Sequence, residues 1–197
     1  VDLQIVASFL LLVFPSFVTP GPNNFMLMAS SAKFGIRPTI PHAIGVNTGF
    51  PLMVFIIGLG LGEVFAAFPQ VQIVLKYFAA GYFLWLAYKM LGLKVGDVKT
   101  VARPMRYFEA VLFQWVNPKA WVISVSFVSA FVGQGEWRLP SLVLIALGCM
   151  ATGPFASVIW MVFGQQLQSF LRRTGGERFL GAILAVLMIG AVVLFLI

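Results

Sequence analysis

Six apolar runs dominate the chain, and such runs leave a polypeptide few ways to fold. They are roughly Leu3–Ser30, Ile40–Gly62, Val71–Leu91, Phe108–Val132, Pro140–Phe163 and Phe179–Ile197. Each is close to or beyond the about 20 residues that cross a bilayer as an α-helix. Inside hydrocarbon every backbone N–H and C=O must be paired within the protein, so only helices and closed barrels span it. A barrel needs short strands of alternating polarity, and these runs are long and continuous. Composition agrees: 10% of residues are charged, against about 25% in a soluble domain. The expected fold is an all-α integral membrane protein of six transmembrane helices, one transporter-like domain over residues 1–197. The first run exceeds the apolar core of a signal peptide and has no basic segment ahead of it, so it reads as a span. A chain opening on Val1-Asp2 is expected to have lost its initiator Met or to have been trimmed.

All of the 13 Lys and Arg except Lys76, Lys119 and Arg138 fall in the first, third and fifth connections. Those connections share one side of a six-span protein. The positive-inside rule makes that side cytoplasmic and puts both termini outside the cytoplasm. The charge of +7 is explained by this asymmetry. Short basic loops without a recognition module give no reason to expect a nucleic-acid partner; the expected surroundings are membrane lipid. Cys149 is the only cysteine, which excludes an intrachain disulfide and a CxxC pair. It reads as a small buried residue.

A polar connection at about 93–106 divides the chain into a first half of about 1–92 and a second of 107–197. Three spans per half give the halves opposite orientation, the arithmetic of an inverted repeat. Corresponding spans also share a feature. Span one is interrupted by Pro20-Gly21-Pro22 and span four by Asn117-Pro118. At 1.5 Å per residue each break lies about 13 Å from its cytoplasmic end, close to the midplane of a 30 Å core. Interrupted helices at matching depth point to a transported-substrate site. Proline lacks an N–H and breaks the ladder; Gly21 tolerates a non-helical backbone; Pro22 suits the first position of a new helix. The half-helix after Pro22 presents free N–H groups, with Asn23 and Asn24 beside them, where an anion is favoured. The alternative is a proline kink that only shapes the bundle.

Lys119 is the sharpest single residue. A lysine at a helix centre costs roughly 2.5–3.5 kcal/mol on insertion scales, and no acidic residue lies at comparable depth. A substrate carboxylate, held between Lys119 and the Pro22 half-helix, is the expected counter-charge. The competing reading leaves Lys119 near the headgroups. Gln114 lies one turn before Asn117. In span two, Gly45 and Gly49, then Gly58 and Gly62, have the spacing of close helix contacts, which would serve a homodimer or an intrachain contact alike. Asn47 and Thr48 are the polar part of that span. His42, near its end, is expected to be an interfacial hydrogen bonder, with a proton-carrying role as the alternative. In span five, Thr152-Gly153-Pro154 marks a further kink, and Pro154 joins the candidate path.

No enzyme is expected, and no cofactor or metal. The sequence has no paired intramembrane carboxylates, metal-ligand cluster or G-x-S-x-G elbow, and no phosphate loop for direct ATP drive.

TPGPNN at 19–24, the glycines at 35, 45 and 49, AAGYFLWLAYKM at 79–90 and FQWVNPK at 113–119 occur in order. With this spacing the chain resembles the lysine-exporter and homoserine/threonine-exporter family of bacterial inner-membrane proteins, over essentially its whole length. The resemblance implies export of a small amino acid or derivative, driven by an ion gradient, with a coupling proton as one option. It also places Pro20, Gly21, Pro22, Asn117, Pro118 and Lys119 on the transport path. Many homoserine- and threonine-type members carry an acidic residue just after the span-two glycines. Asn47-Thr48-Gly49-Phe50-Pro51 has none, which speaks against a cationic substrate and a carboxylate proton carrier. Asn23-Asn24 and the span-five stretch are most similar to the cysteine/O-acetylserine exporter subgroup. The competing function classes are a non-transporting scaffold or partner subunit, which would pack dry around Asn117 and Lys119, and a channel. Which amino acid is carried, and whether H⁺ or Na⁺ is exchanged, stays open at this point.

Overall fold

The computed structural model describes residues 3–61, 63, 67, 69–91 and 103–196. All regular structure among them is helical: α1 Leu3–Val18, α2 Pro22–Phe34, α3 Ile36–Ile56, α4 Pro69–Leu91, α5 Tyr107–Phe113, α6 Pro118–Phe131, α7 Arg138–Thr174 and α8 Leu180–Leu196. Most of the 93–106 connection, and Gly62, lie outside the described residues.

Six apolar runs do not become six unbroken helices. Two helices, Ile36–Leu61 and Gly135–Thr174, are long and apolar enough to cross a membrane alone. Val6–Val18 with Pro22–Phe34, bent by 52°, supplies a third crossing if the pair is one span. The fourth run is cut by Asn117 (φ −88°, ψ 108°), with a 3₁₀ turn over Gln114–Val116 before it, so α5 and α6 are each too short. The apolar stretch of α8, Leu180–Gly190, is also shorter than a full span. The sequence-predicted breaks thus fall where expected and divide the first and fourth runs, while α8 falls short by length.

Two boundaries need correction. The fifth run ends at Phe163 by hydropathy, yet α7 continues to Thr174. At 1.5 Å per residue it is about 55 Å long, well beyond a 30 Å hydrocarbon core. Its polar tail is helix-compatible, and the chain stops only where glycine permits. Gly175 takes φ 68°, Gly176 N–H donates to Leu171 O (2.8 Å) and Gly175 N–H to Arg172 O (3.4 Å), the paired bonds of a Schellman stop. Arg172 and Arg173 sit in the last turn, where the helix dipole favours cations. The second correction is at α3, which begins at Ile36 rather than Ile40, directly after Gly35 at φ 87°.

The long α7 packs against α1, α2 and α3, while α4 packs chiefly on α8. One core gathers Phe9, Phe50, Phe127 and their neighbours from α1, α3, α6 and α7. Its rings meet edge to face, with Phe9 5.3 Å from both Phe127 and Phe131 and Phe17 5.2 Å from Phe50. Outward faces stay apolar, as with Tyr77, Phe78, Phe108 and Phe155, which is the pattern of a protein whose solvent is lipid. Arg138, at the start of α7, donates to Glu63 (2.8 Å) and to Gly58 O (2.9 Å). The end of α3 and the start of α7 therefore lie on one side.

Gly45, Gly49 and Gly58 are engaged inside the chain. A Cβ on Gly45 would strike the Tyr107 carbonyl and the Ala110 side chain; one on Gly49 would come 2.8 Å from Val111 Cα; one on Gly58 would strike Leu142. Gly49→Val should therefore lower stability by about 1–3 kcal/mol through overpacking against backbone. Gly81→Ala, where a Cβ meets open space, should be neutral or stabilising by about 0.5–1 kcal/mol. Thermal midpoints of the purified variants in one detergent check both.

Candidate functional site

A helix broken in an apolar layer leaves its last carbonyls without ladder partners. At the end of α1 every carbonyl from Pro15 to Gly21 nonetheless has a donor. Thr19 supplies two, its N–H to Pro15 O (2.9 Å) and its hydroxyl to Ser16 O (2.9 Å). Asn24 Nδ2 donates to Phe17 O (2.8 Å) and Thr19 O (2.9 Å). Trp160 Nε1, from α7, donates to Val18 O (3.1 Å). Lys119 Nζ, from the first turn of α6, donates to Thr19 O (2.5 Å), Thr19 Oγ1 (2.9 Å) and Pro20 O (3.3 Å). Gly21 O accepts the first ladder bond of α2, from Phe25 N–H (2.9 Å).

Lys119 thus does not wait unbonded. It is half-buried, and its three donors meet three oxygens at the negative end of the α1 dipole. All three are neutral, so its charge has no carboxylate partner there. Gly21 is needed for room. Its backbone is fully extended (φ 179°, ψ 173°), which any residue can adopt. A Cβ, however, would stand 2.6 Å from Lys119 Cδ.

The second break is capped from within. Asn117 Oδ1 accepts from Lys119 N–H (3.2 Å) at the start of α6, and Trp121 Nε1 donates to Trp115 O (2.9 Å). The two breaks are joined by paired amides. Asn23 Nδ2 donates to Gln114 Oε1 (2.8 Å) and Gln114 Nε2 returns a bond to Asn23 Oδ1 (3.3 Å). Gln114 is 0% exposed and also donates to Ala110 O (2.9 Å).

A small cavity of about 60 Å³ lies between the breaks, lined on its polar side by Gly21, Asn23, Asn24, Asn47, Asn117, Lys119 and Ser157, and on its apolar side by residues such as Phe17, Phe50 and Cys149. Ser157 Oγ donates to Asn47 Oδ1 (3.2 Å) across it. No carboxylate is among the lining residues. A larger, mostly apolar space of about 630 Å³ adjoins it, bordered by Pro20, Gly21, Pro22, Pro118, Lys119, Phe25, Trp160 and Leu187. Gly21 and Lys119 border both, so the lysine side chain lies in the wall between them.

Of the sequence-predicted residues, Pro20, Gly21, Pro22, Asn23, Asn24, Asn47, Asn117, Pro118 and Lys119 meet at these two spaces, with Gln114 bonded to Asn23. Gly45 and Gly49 do not line them; they let α5 approach α3. Pro154 is exposed and lines neither. One residue earlier, Gly153 does, leaving room for Asn47 Oδ1, 2.6 Å from where a Cβ would stand. The face that matters on α7 is Gly153, Ala156, Ser157 and Trp160, an i, i+3, i+4, i+7 stripe that the sequence carries in plain view. Thr19 contributes as well, through its N–H and hydroxyl. His42 is not the hydrogen bonder expected: it is 1% exposed, and among the described residues neither ring nitrogen has a hydrogen-bond partner. Cys149, expected to be buried, is 1% exposed.

Two interrupted helices facing each other across a polar cavity, in a bundle with apolar outward faces, are features of a membrane transporter by class. The profile of LysE type translocators matches residues 15–197, and the chain belongs to that family. It is a translocator, not an enzyme. It is similar to proteins described as cysteine/O-acetylserine efflux protein from Salmonella paratyphi A (strain ATCC 9150 / SARB42), Salmonella typhi and Escherichia coli (strain K12). Each is 28% identical over 173 residues, covering 87% of this chain and 87% of the relative. No solved structure matches.

Asn24 carries the cap of α1 with one amide nitrogen. Asn24→Leu strands Phe17 O and should cost about 1–3 kcal/mol. Asn24→Asp also loses the donor but sets a carboxylate beside Lys119, which bonds the same Thr19 oxygen, so it should be the more stable of the two. Thermal midpoints and membrane abundance rank the pair.

Proposed function

We infer that this protein is a secondary exporter of a small neutral amino acid or derivative, of the cysteine/O-acetylserine kind. The observation that carries the reading is the meeting of two helix breaks at one polar cavity containing a lysine without a carboxylate partner. The names of the similar proteins support the substrate class, and the absence of an acidic residue after Gly49 supports a neutral substrate. In this reading six spans form two inverted three-helix halves, divided at about 93–106, and the breaks of the first and fourth spans form the path. The protein sits in the bacterial inner membrane with both termini outside the cytoplasm, the orientation that the basic connections favour. Export is driven by an ion gradient.

The substrate carboxylate competes with the α1 carbonyls for Lys119. The bond to Pro20 O, at 3.3 Å, is the weakest of the three by length and the first to be exchanged. Asn23, Asn24 and Asn47 offer amides to the rest of the substrate. The N–H groups of the first turn of α2, which begins on a proline, add positive potential at the same place. A scaffold role is disfavoured by the polar cavity itself, since a purely structural bundle gains nothing from leaving it unfilled.

Substrate exchange by the purified protein in liposomes tests this, comparing cysteine, O-acetylserine, threonine, homoserine and lysine. Cysteine or O-acetylserine should exchange and lysine should not. Lys119→Met should weaken binding about tenfold to a hundredfold, the worth of a charge-assisted hydrogen bond, and Lys119→Arg should retain part of it. Esterifying the substrate carboxylate should weaken binding to wild type and matter much less in Lys119→Met. Equal binding of ester and free acid by wild type would remove the carboxylate role.

A further inference from the structure

We propose that His42 is the proton-binding site that couples transport to a pH gradient. The inference rests on the exporter reading above and names its coupling ion and residue.

His42 is the only histidine in the chain. Imidazole is the side chain whose ordinary titration falls between pH 5 and 8. A neutral imidazole carries one N–H donor and one acceptor nitrogen, and buried polar groups are almost always bonded. Here the side chain is 1% exposed and both nitrogens are unpartnered among the described residues. Both nitrogens are open to a partner, and a buried lone pair is suited to a proton.

Its placement fits coupling. His42 lies one turn before Val46 and Asn47, which line the central cavity, so the separation along α3 is about 6–8 Å. The charged groups on the elements around α3 are few. From α5, the Glu109 carboxylate is held by Arg103 (2.6 and 2.8 Å) and Arg106 N–H (2.8 Å). Lys33 of α2 stands 5.4 Å from the Phe34 ring. Lys119 of α6 is bonded to Thr19 and Pro20. Arg138 of α7 is bonded to Glu63, and Arg172 and Arg173 end that helix. Arg37, on α3 itself, is exposed. Tyr107 of α5 shares a hydrogen bond with Thr48 (3.1 Å).

In the cycle, a proton from the outer solution adds to the free imidazole lone pair and forms an imidazolium with two N–H donors. In the opposite orientation that proton leaves to water on the cytoplasmic side and the neutral imidazole returns. One proton enters as one amino acid leaves, and no covalent bond of the substrate changes. The imidazolium demands acceptors that the neutral ring lacks here, so protonation favours a state in which acceptors reach the ring. Coupling is reciprocal, so substrate affinity must then depend on pH.

The test uses the full chain in liposomes with labelled O-acetylserine. At one proton per substrate, one pH unit supports up to about tenfold accumulation on the acidic side. Wild type should approach that figure. His42→Gln and His42→Asn should accumulate little or nothing, while exchange at equal pH on both sides continues at a measurable rate. Wild-type binding should also change several-fold between pH 5 and pH 8. This measurement decides the matter if neither variant inserts. Gradient-driven accumulation by the variants equal to wild type, or pH-independent binding by wild type, overturns the role of His42. Wild-type exchange that never responds to a pH gradient removes the coupling and leaves the exporter. No exchange by wild type removes the exporter reading, and His42 with it.

Discussion

The cap on the end of α1 is the constraint on which the rest of the site depends. Ending a helix inside an apolar layer strands several carbonyls, and no water is at hand to satisfy them. The donors that replace the ladder come from three helices: Asn24 of α2, Lys119 of α6 and Trp160 of α7. Each must stand at hydrogen-bond distance from a fixed oxygen, so the cap also fixes where three helices sit around the break. The requirement reaches into the side chains that make room. Gly21 leaves space for the Lys119 stem, and the extended backbone there directs Pro22 into a helix bent away from α1.

The two breaks answer each other electrostatically. The end of α1 is the negative pole of its helix, and the lysine at the start of α6 supplies the positive charge. The start of α6 is capped by its own Asn117, so the lysine is free to reach across. Paired amides, Asn23 with Gln114, then tie the two segments at a point where any unpaired polar atom would be costly. The arrangement satisfies its backbone almost entirely through side chains. A bond from a side chain can be exchanged for one to a ligand without unwinding a helix, whereas a ladder bond cannot.

The interruptions were legible in the sequence because proline and glycine inside an apolar run have few other meanings. Lys119 stood out for the same reason, as a charge where none is cheap. What the lysine bonds was not legible, because its partner lies 100 residues away and local pattern carries no such pairing. Pro154 misled by one position: the breaker is conspicuous, yet one residue turns a helix by about 100°, and Gly153 occupies the inward face. The overrun of α7 was in principle readable. Hydropathy falls after Phe163, but Gly175-Gly176 is the first real stop for a helix, and a polar helix is no less a helix. The burial of His42 was hidden because depth along one span says nothing about how close the next helix comes. Gly45 and Gly49 allow α5 to approach α3 at backbone contact, and that approach encloses a residue which linear counting puts at the interface.

The same glycines separate what is rigid from what can change. α3 and α7 carry the tightest contacts: Gly45 and Gly49 against α5, Gly153 against Asn47, and Gly164 against the Met28 carbonyl and Ser31 of α2. Close packing of small residues leaves such interfaces little freedom to slide without opening a void. The ends that meet at the breaks are held differently, by a few hydrogen bonds from side chains, one of them a long flexible lysine. Under the proposed function this division of labour is what an exporter needs. A frame of unbroken helices keeps the cavity in place, and the two interrupted segments face each other with bonds that a carboxylate can take over. The larger apolar space behind Lys119 gives the lysine stem room to follow the substrate when those bonds are exchanged.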